Sequence, residues 1–292
     1  MIYFKINDID YSSFEQWSEM KLEKGIELSA LCRTMPDKLK DFYTIVTSEP
    51  TMEAQEESLA KWVEAVGEIE MVKEFPEFYG KVISCLSNVP DDVIKFVQTG
   101  FRVAFYKQYC EKFVIGILHN IIDYQYQNIK SFTHEGIEYH LPVDKNILGS
   151  SKPMSDRSAI EFTESADLQM AAKEMAAGKF EYAANIISIL CRPLVPVNPS
   201  HMPQLTEDVH VISSILNMKR SEIEPYDEQV SLARAESFKQ LTMDIVFEVF
   251  FCLTKHMIIF NQTMAISLLE DQVKEKEKSL KAELNDSVGT HG

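Results

Sequence analysis

Two short stretches of the chain alternate polar and apolar residues about a two-residue centre. Phe4–Tyr11 reads FKINDIDY and Phe132–Tyr139 reads FTHEGIEY, with Asn7-Asp8 and Glu135-Gly136 at the tips. These tip residues suit the tight turns that join antiparallel strands. The implied register sets Phe4 against Tyr11 and Ile6 against Ile9, then Phe132 against Tyr139 and His134 against Ile137. Each hairpin then carries one aromatic–aliphatic face, while Lys5–Asp10 and Thr133–Glu138 pair on the other.

Helical spacing fills most of the rest. Phe14–Leu31 reads as one helix with Gly25 as a weak point, and Met52–Glu74 as a glutamate-rich helix striped by Leu59, Trp62, Val63, Val66 and Ile69. Glu77–Leu86 follows and should stop at Asn88-Val89-Pro90, and a long helix over Phe101–Gln127 leads into the second hairpin. Beyond Pro153, Ser158 and Glu161 form a capping-box pattern for a helix ending near Gly178. Phe180–Cys191 is a further helix, closed by Pro193, and a short one falls near Glu207–Met218. From Glu228 a long pattern runs through Arg234, Phe238, Leu241, Ile245, Val249 and Leu253 to about Phe260, with those apolar positions as core. Leu269–Leu284 is charged with a thin stripe at Leu269, Val273, Leu280 and Leu284, suited to partner binding or oligomerisation, and NDSVGTHG should be a disordered tail.

The fold class expected is therefore mainly α with small β-hairpins, in two similar hairpin-plus-helices halves. KVISCLSNVP (Lys81–Pro90) and NIISILCRP (Asn185–Pro193) add to that likeness, so duplication is the expectation, although two hairpins can look alike by chance. The boundaries are residues 1–130, 131–262 and a charged helix with tail over 263–292. Pro193, Pro196, Pro199 and Pro203 suit either a stiff connector or a polyproline docking segment.

Charge narrows the function classes. Lys and Arg number 29 against 45 Asp and Glu, a net charge of −16 with no basic patch, so nucleic-acid binding is not expected. A basic protein partner is. An acidic DNA mimic fits less well, because the acids are spread along helices. Cys32, Cys85, Cys110, Cys191 and Cys252 lie far apart without a C-x-x-C pair, which points to reduced thiols and a cytosolic setting. MIYFKINDIDY lacks the basic start and apolar run of a signal peptide. Ile245–Phe260 is the most apolar stretch, but Asp244, Glu248 and Lys255 mark a polar stripe, so it reads as a core helix and not a membrane span.

Chemistry-bearing patterns fail one after another. Gly149–Lys152 lacks the glycine and Lys-Ser/Thr frame of a phosphate loop, and no G-x-G-x-x-G occurs. A cross-strand cation site at His134 and His140 competes with the plainer reading of edge histidines. Asp244/Glu248 and Glu161/Glu164 share helical faces, yet acidic pairs are inevitable at this composition and these read as solvent stripes. No G-x-S-x-G elbow is present, and Cys191 at a helix end reads as an inert, buried thiol. No catalytic, cofactor-binding or metal residue is assigned, and no enzyme is expected. An enzyme would instead show a concave pocket with convergent polar groups bridging the halves. Thirteen methionines suit an adaptable surface or, more plainly, core filling.

The run IEYHLPVDKNILGSSKPMSDRSAIEFTESADLQ, with IISILCRP and PYDEQVSLARAESFKQLTMDIVFEVFF, resembles small virion-assembly proteins of tailed bacteriophages. These include tail assembly chaperones. The resemblance covers about residues 131–260 and consists of spacing: a hairpin, an acidic helix, I-L-C-R-P, then R-x-E-x-F-x-x-L. It implies a helical, acidic, non-enzymatic protein that binds a tail, tape-measure or baseplate protein, acts in the host cytoplasm and is either a transient chaperone or part of the virion. No site residue carries over. The second reading is an acidic helical adaptor or decoy acting on a host partner.

Overall fold

A computed structural model describes residues 1–119, 124–141, 159–176, 179–193, 224 and 226–253. The readings of Gly149–Lys152, the Ser158 cap, Gly178, the prolines beyond Pro193, Glu207–Met218, Lys255, Leu269–Leu284 and the tail lie outside these residues.

Strands β1 (Ile2–Ile6) and β2 (Ile9–Ser13) form the first hairpin in the expected register, Phe4 opposite Tyr11 and Ile6 opposite Ile9. Asn7 and Asp8 take φ of 51° and 64°, the left-handed pair that closes a two-residue turn. A 3-10 turn (Trp17–Glu19) leads to helices α1 (Leu22–Arg33), α2 (Asp37–Ser48) and α3 (Met52–Ala65). A wide π turn (Glu70–Glu74) runs straight into α4 (Phe75–Leu86), followed by the short α5 (Asp91–Ile94). Next, α6 (Thr99–Phe105), a second π turn (Tyr106–Cys110) and α7 (Glu111–His119) form one interrupted helix.

The second hairpin, β3 (Ser131–His134) and β4 (Ile137–His140), also keeps its expected register, with Glu135 and Gly136 at positive φ. It is followed by α8 (Ala159–Ala176), a 3-10 turn (Phe180–Tyr182), α9 (Ala183–Leu190) and the two-residue β5 (Arg192–Pro193). Helices α10 (Glu228–Phe238) and α11 (243–253) complete the described chain. The architecture is mainly helical, with antiparallel sheets of two and three strands.

The hairpins sit in matching surroundings. Phe4 lies 4.5 Å from Phe105 at the end of α6, and Tyr139 lies 4.9 Å from Phe238 at the end of α10. The segment after α4 bonds to β2, with the Asn88 amide donating to the Ser12 carbonyl at 3.0 Å and Ser13 bridging Ser87. In the same way the segment after α9 pairs with β4, Arg192 opposite His140 and Pro193 opposite Tyr139. The likeness of KVISCLSNVP to NIISILCRP thus coincides with a shared job: each ends a helix and caps the second strand of a hairpin.

One hydrophobic core runs through both halves. Trp17 meets Phe113 at 4.9 Å and Phe247 at 5.3 Å, both edge-on. Beside it, Met20–Glu23 and Lys239–Met243 pair like strands: Leu22 donates to the Leu241 carbonyl, Glu23 to that of Lys239 and Met243 to that of Met20, at 2.8 to 2.9 Å.

That pairing overturns the single helix expected over Phe14–Leu31. Phe14 donates its amide to the Leu86 carbonyl, only a 3-10 turn forms at Trp17–Glu19, and the α-helix begins at Leu22. The helix expected over Phe101–Gln127 is also shorter: 124–129 has no regular secondary structure, and Asn128 takes a φ of 53°. Helix α2, unforeseen, buries Leu39 and Tyr43. The single helix expected from Glu228 to about Phe260 is broken at 239–242, where the backbone pairs with Met20–Glu23. Of its expected core positions Phe238, Leu241, Val249 and Leu253 are buried, whereas Ile245 is only half-buried.

Candidate functional site

The feature that sets this surface apart begins with Thr51, whose hydroxyl accepts from the Ala54 amide at 3.2 Å and starts α3. Strong helix formers (glutamates, alanines, Gln55 and Lys61) carry the helix to Ala65, yet no residue of α3 is buried. It is held along one edge. Trp62 donates its indole N–H to the Lys38 carbonyl at 2.6 Å, with its ring 5.1 Å from Phe42 and 6.2 Å from a nearly parallel Phe75. Gln55 donates to the Val46 carbonyl at 2.9 Å, and the Ser58 hydroxyl to Glu49 at 2.9 Å. Leu59, Trp62 and Val66 are half-buried by these contacts, whereas Val63 and Ile69, expected in the same stripe, face solvent.

After Val66-Gly67 the chain turns and becomes helical again at 68, ahead of the core. The π turn has a local cause. Pro76 has no amide to offer the Val72 carbonyl, and its ring crowds the preceding turn, so one extra residue is accommodated there. The Phe75 amide reaches the Glu70 carbonyl. In an unbroken α-helix Met71 and Val72 would share the face of Phe75 and Tyr79, both buried. One inserted residue rotates them by about 100°. Val63, Ile69, Met71 and Val72 are 64, 67, 55 and 63% exposed. Around them, Met52–Glu74 holds seven glutamates and two lysines, and Lys61 is already paired with Glu57 at 2.6 Å. The result is an acidic corner with aliphatic side chains left in water.

Other polar clusters are internally matched. In the second half Arg192 pairs with Glu164 at 3.2 Å and donates to the Ser188 carbonyl at 3.1 Å. Arg234 donates to the same carbonyl at 3.4 Å and pairs with Glu224, all four side chains being largely buried. Tyr226 lies under Arg192 and bonds to Asp167, while Tyr139 lies under Arg234. Two guanidiniums, each with its own carboxylate, lock α8, α9 and α10 together. In the first half the hydroxyls of Tyr43 and Tyr106 meet at 2.7 Å, and Tyr43 donates to Glu111 at 3.0 Å. Burial pushes the Tyr79 phenol, stacked 4.0 Å from Tyr106, up to about 12.

Glu248 requires a correction. Its place on the polar stripe predicted solvent, but it is 2% exposed. Its carboxylate accepts from the Tyr124 hydroxyl at 3.0 Å, the Gln127 amide at 2.5 Å and the Ile129 amide at 3.3 Å. These bonds occupy the carboxylate and explain how 124–129 holds its irregular path. Asp244 is half-buried nearby.

The two histidines do not converge on a cation. His134 Nε2 bonds to the Ser237 hydroxyl at 2.7 Å and its ring meets Phe238 edge-on, whereas His140 is paired in the sheet beside Arg192. Burial lowers the pKa of His140. No group of three potential ligands gathers among the described residues. Cys191 is buried at the end of α9, where it was expected. Glu164 of the Glu161/Glu164 pair is engaged by Arg192.

A cleft of about 420 Å3 does bridge the halves, lined by Glu23, Ile26, Lys179, Glu181, Asn185 and Lys239 among others. Glu181 is matched to Arg33 at 3.1 Å, Lys239 to Glu236 at 2.7 Å and Lys179 to Glu174, while Glu23 accepts from the Gln240 side-chain amide at 2.7 Å. It therefore offers mixed, satisfied charge and no nucleophile–base arrangement among the described residues. No helix among them is long and apolar enough to cross a membrane. No protein-family model, curated protein or solved structure matches the chain.

Proposed function

We propose that this chain is a non-enzymatic assembly or structural protein of a tailed bacteriophage, binding a tail, tape-measure or baseplate protein. The observation that carries the reading is the corner at 63–74, where aliphatic side chains stay in solvent among glutamates. Exposed apolar clusters rimmed by polar residues mark interaction sites. The resemblance of residues 131–260 to virion-assembly proteins supplies the class of partner. The matched hairpin environments support descent of the two halves from one duplicated unit, residues 1–130 and 131–262. In this role the protein works in the host cytoplasm, either as a transient chaperone or as a part carried into the virion.

An acidic helical adaptor or decoy acting on a host partner is the competing reading. A decoy needs carboxylates alone, so Val63, Ile69, Met71 and Val72 favour a protein client packed by apolar contact. Co-expression of the chain with the genes that flank it, affinity purification and mass spectrometry test the proposal. A tail, tape-measure or baseplate subunit in stoichiometric yield is expected. Its absence, together with binding of a small molecule in the interhalf cleft, would replace the assembly role with an enzymatic one.

A further inference from the structure

We infer that the acidic corner formed by the end of α3 and the π turn takes a basic amphipathic helix of a protein partner, seated on Val63, Ile69 and Val72. The inference rests on the partner-binding reading above and adds the place and the chemistry of the contact.

Three observations carry it. Val63, Ile69, Met71 and Val72, each more than half exposed, fall within ten residues. The π turn rotates Met71 and Val72 off the buried face, so this part of the patch is a product of backbone geometry. Wide turns of this kind recur at functional positions in helices.

Charge then selects the partner. Seven glutamates against two lysines over Met52–Glu74 leave a net of −5 (2 − 7) around the patch. An acidic partner would bring like charges together at the rim, and a neutral one would desolvate carboxylates without compensation. Lysines or arginines flanking an apolar stripe satisfy both requirements.

Shape selects a helix. The corner is built from helical turns and contains no strand, so it presents no strand edge for an extended peptide to extend. Ile69 and Val72 lie within one turn of each other, a footprint that one apolar helical stripe covers.

The test uses the full chain and a fluorescent 18-residue synthetic peptide of leucine and lysine, with leucines along one helical face. A scrambled peptide of the same composition and a leucine–glutamate helix are the controls. Fluorescence anisotropy should show the basic helix binding at least about tenfold tighter than either control, more weakly as salt rises. The variant V63S/I69S/V72S should lose at least about tenfold in affinity, since three apolar contacts go at exposed positions. F96S, which removes an isolated exposed ring, should bind like the parent.

Equal binding of the scrambled peptide, or an unaffected triple variant with a parent-like circular dichroism spectrum, overturns the assignment. So does a dimer, seen by light scattering of the protein alone, that the triple variant abolishes, because the occupant is then a second copy. A virion protein that co-purifies equally with the parent and the triple variant leaves the assembly role standing and overturns only this surface. Peptide binding without any virion partner does the reverse.

Discussion

Tyr124 donates its hydroxyl to the buried carboxylate of Glu248 at 3.0 Å, joining residues 124 positions apart in the chain. The same carboxylate accepts the Gln127 and Ile129 amides, so one side chain fixes the approach to the second hairpin. Glu248→Ala should cost about 3 kcal/mol in urea unfolding, because three donors lose their acceptor in a dry site. Glu248→Gln should cost less, about 1–2 kcal/mol, since its amide oxygen replaces one of the two acceptors. Equal, negligible losses for both would mean that water serves these donors instead.

The twin arginines make a second prediction. Arg234 is buried against Glu224 and the Ser188 carbonyl, so Arg234→Ala strands a carboxylate away from water. A loss of about 3–5 kcal/mol is expected in chemical denaturation. Replacing both partners, as R234M/E224M, should recover most of it, because an apolar pair leaves no unpaired charge.

Gly25 sits where α1 crosses the start of α11. A β-carbon there would lie 2.9 Å from the Met243 sulfur and 3.4 Å from Phe180. The methionine side chain is flexible at that end, so Gly25→Ala should stay within about 1 kcal/mol of the parent, helix propensity offsetting the crowding. Gly25→Leu has no such room and should cost about 2–3 kcal/mol, read as a lower melting temperature.

Cysteine reactivity gives a prediction with a pH sign. Burial pushes the Cys32 and Cys110 thiols up to about 12 and raises Cys85 as well. Only thiolate reacts with iodoacetamide, so these three should resist alkylation at pH 8 and become reactive when the chain is unfolded in urea. Raising the pH to 9 in the folded state should leave them protected, whereas an exposed thiol of ordinary pKa gains reactivity over that interval. Peptide mapping of the alkylated protein reads each site separately.

Legibility in the residues followed the range of the forces involved. The hairpins were readable to the residue because turn chemistry at Asn7-Asp8 and Glu135-Gly136 and two-residue alternation are local. Helix α2 was equally visible in Leu39, Phe42, Tyr43 and Val46 after Pro36, a spacing that went unassigned. The stretch from Phe14 to Lys21 has helical spacing too, but its backbone pairs with Leu86 and with 239–243, far along the chain. Glu248 looked solvent-facing because its period matches Asp244, and its donors lie 119 to 124 residues away.

The acidic corner was half legible. Its glutamates and apolar residues are plain in the sequence, and a regular helix over Met52–Glu74 would have turned Val63, Val66 and Ile69 to one side. The break at Val66-Gly67 and the π turn before Pro76 redistribute them, leaving Val66 half-buried and Val63 and Ile69 in water. Periodicity averages over such breaks, so the exposed patch emerges only with the backbone.

Site-specific photocrosslinking tests the central claim most directly. A benzoylphenylalanine at position 69, compared with one at position 96, would be illuminated in cells that express the chain together with the genes that flank it. The account predicts a crosslink from position 69 to a tail, tape-measure or baseplate subunit, and none to that subunit from position 96. A virion protein captured only from position 96, or no virion protein from either, would contradict it.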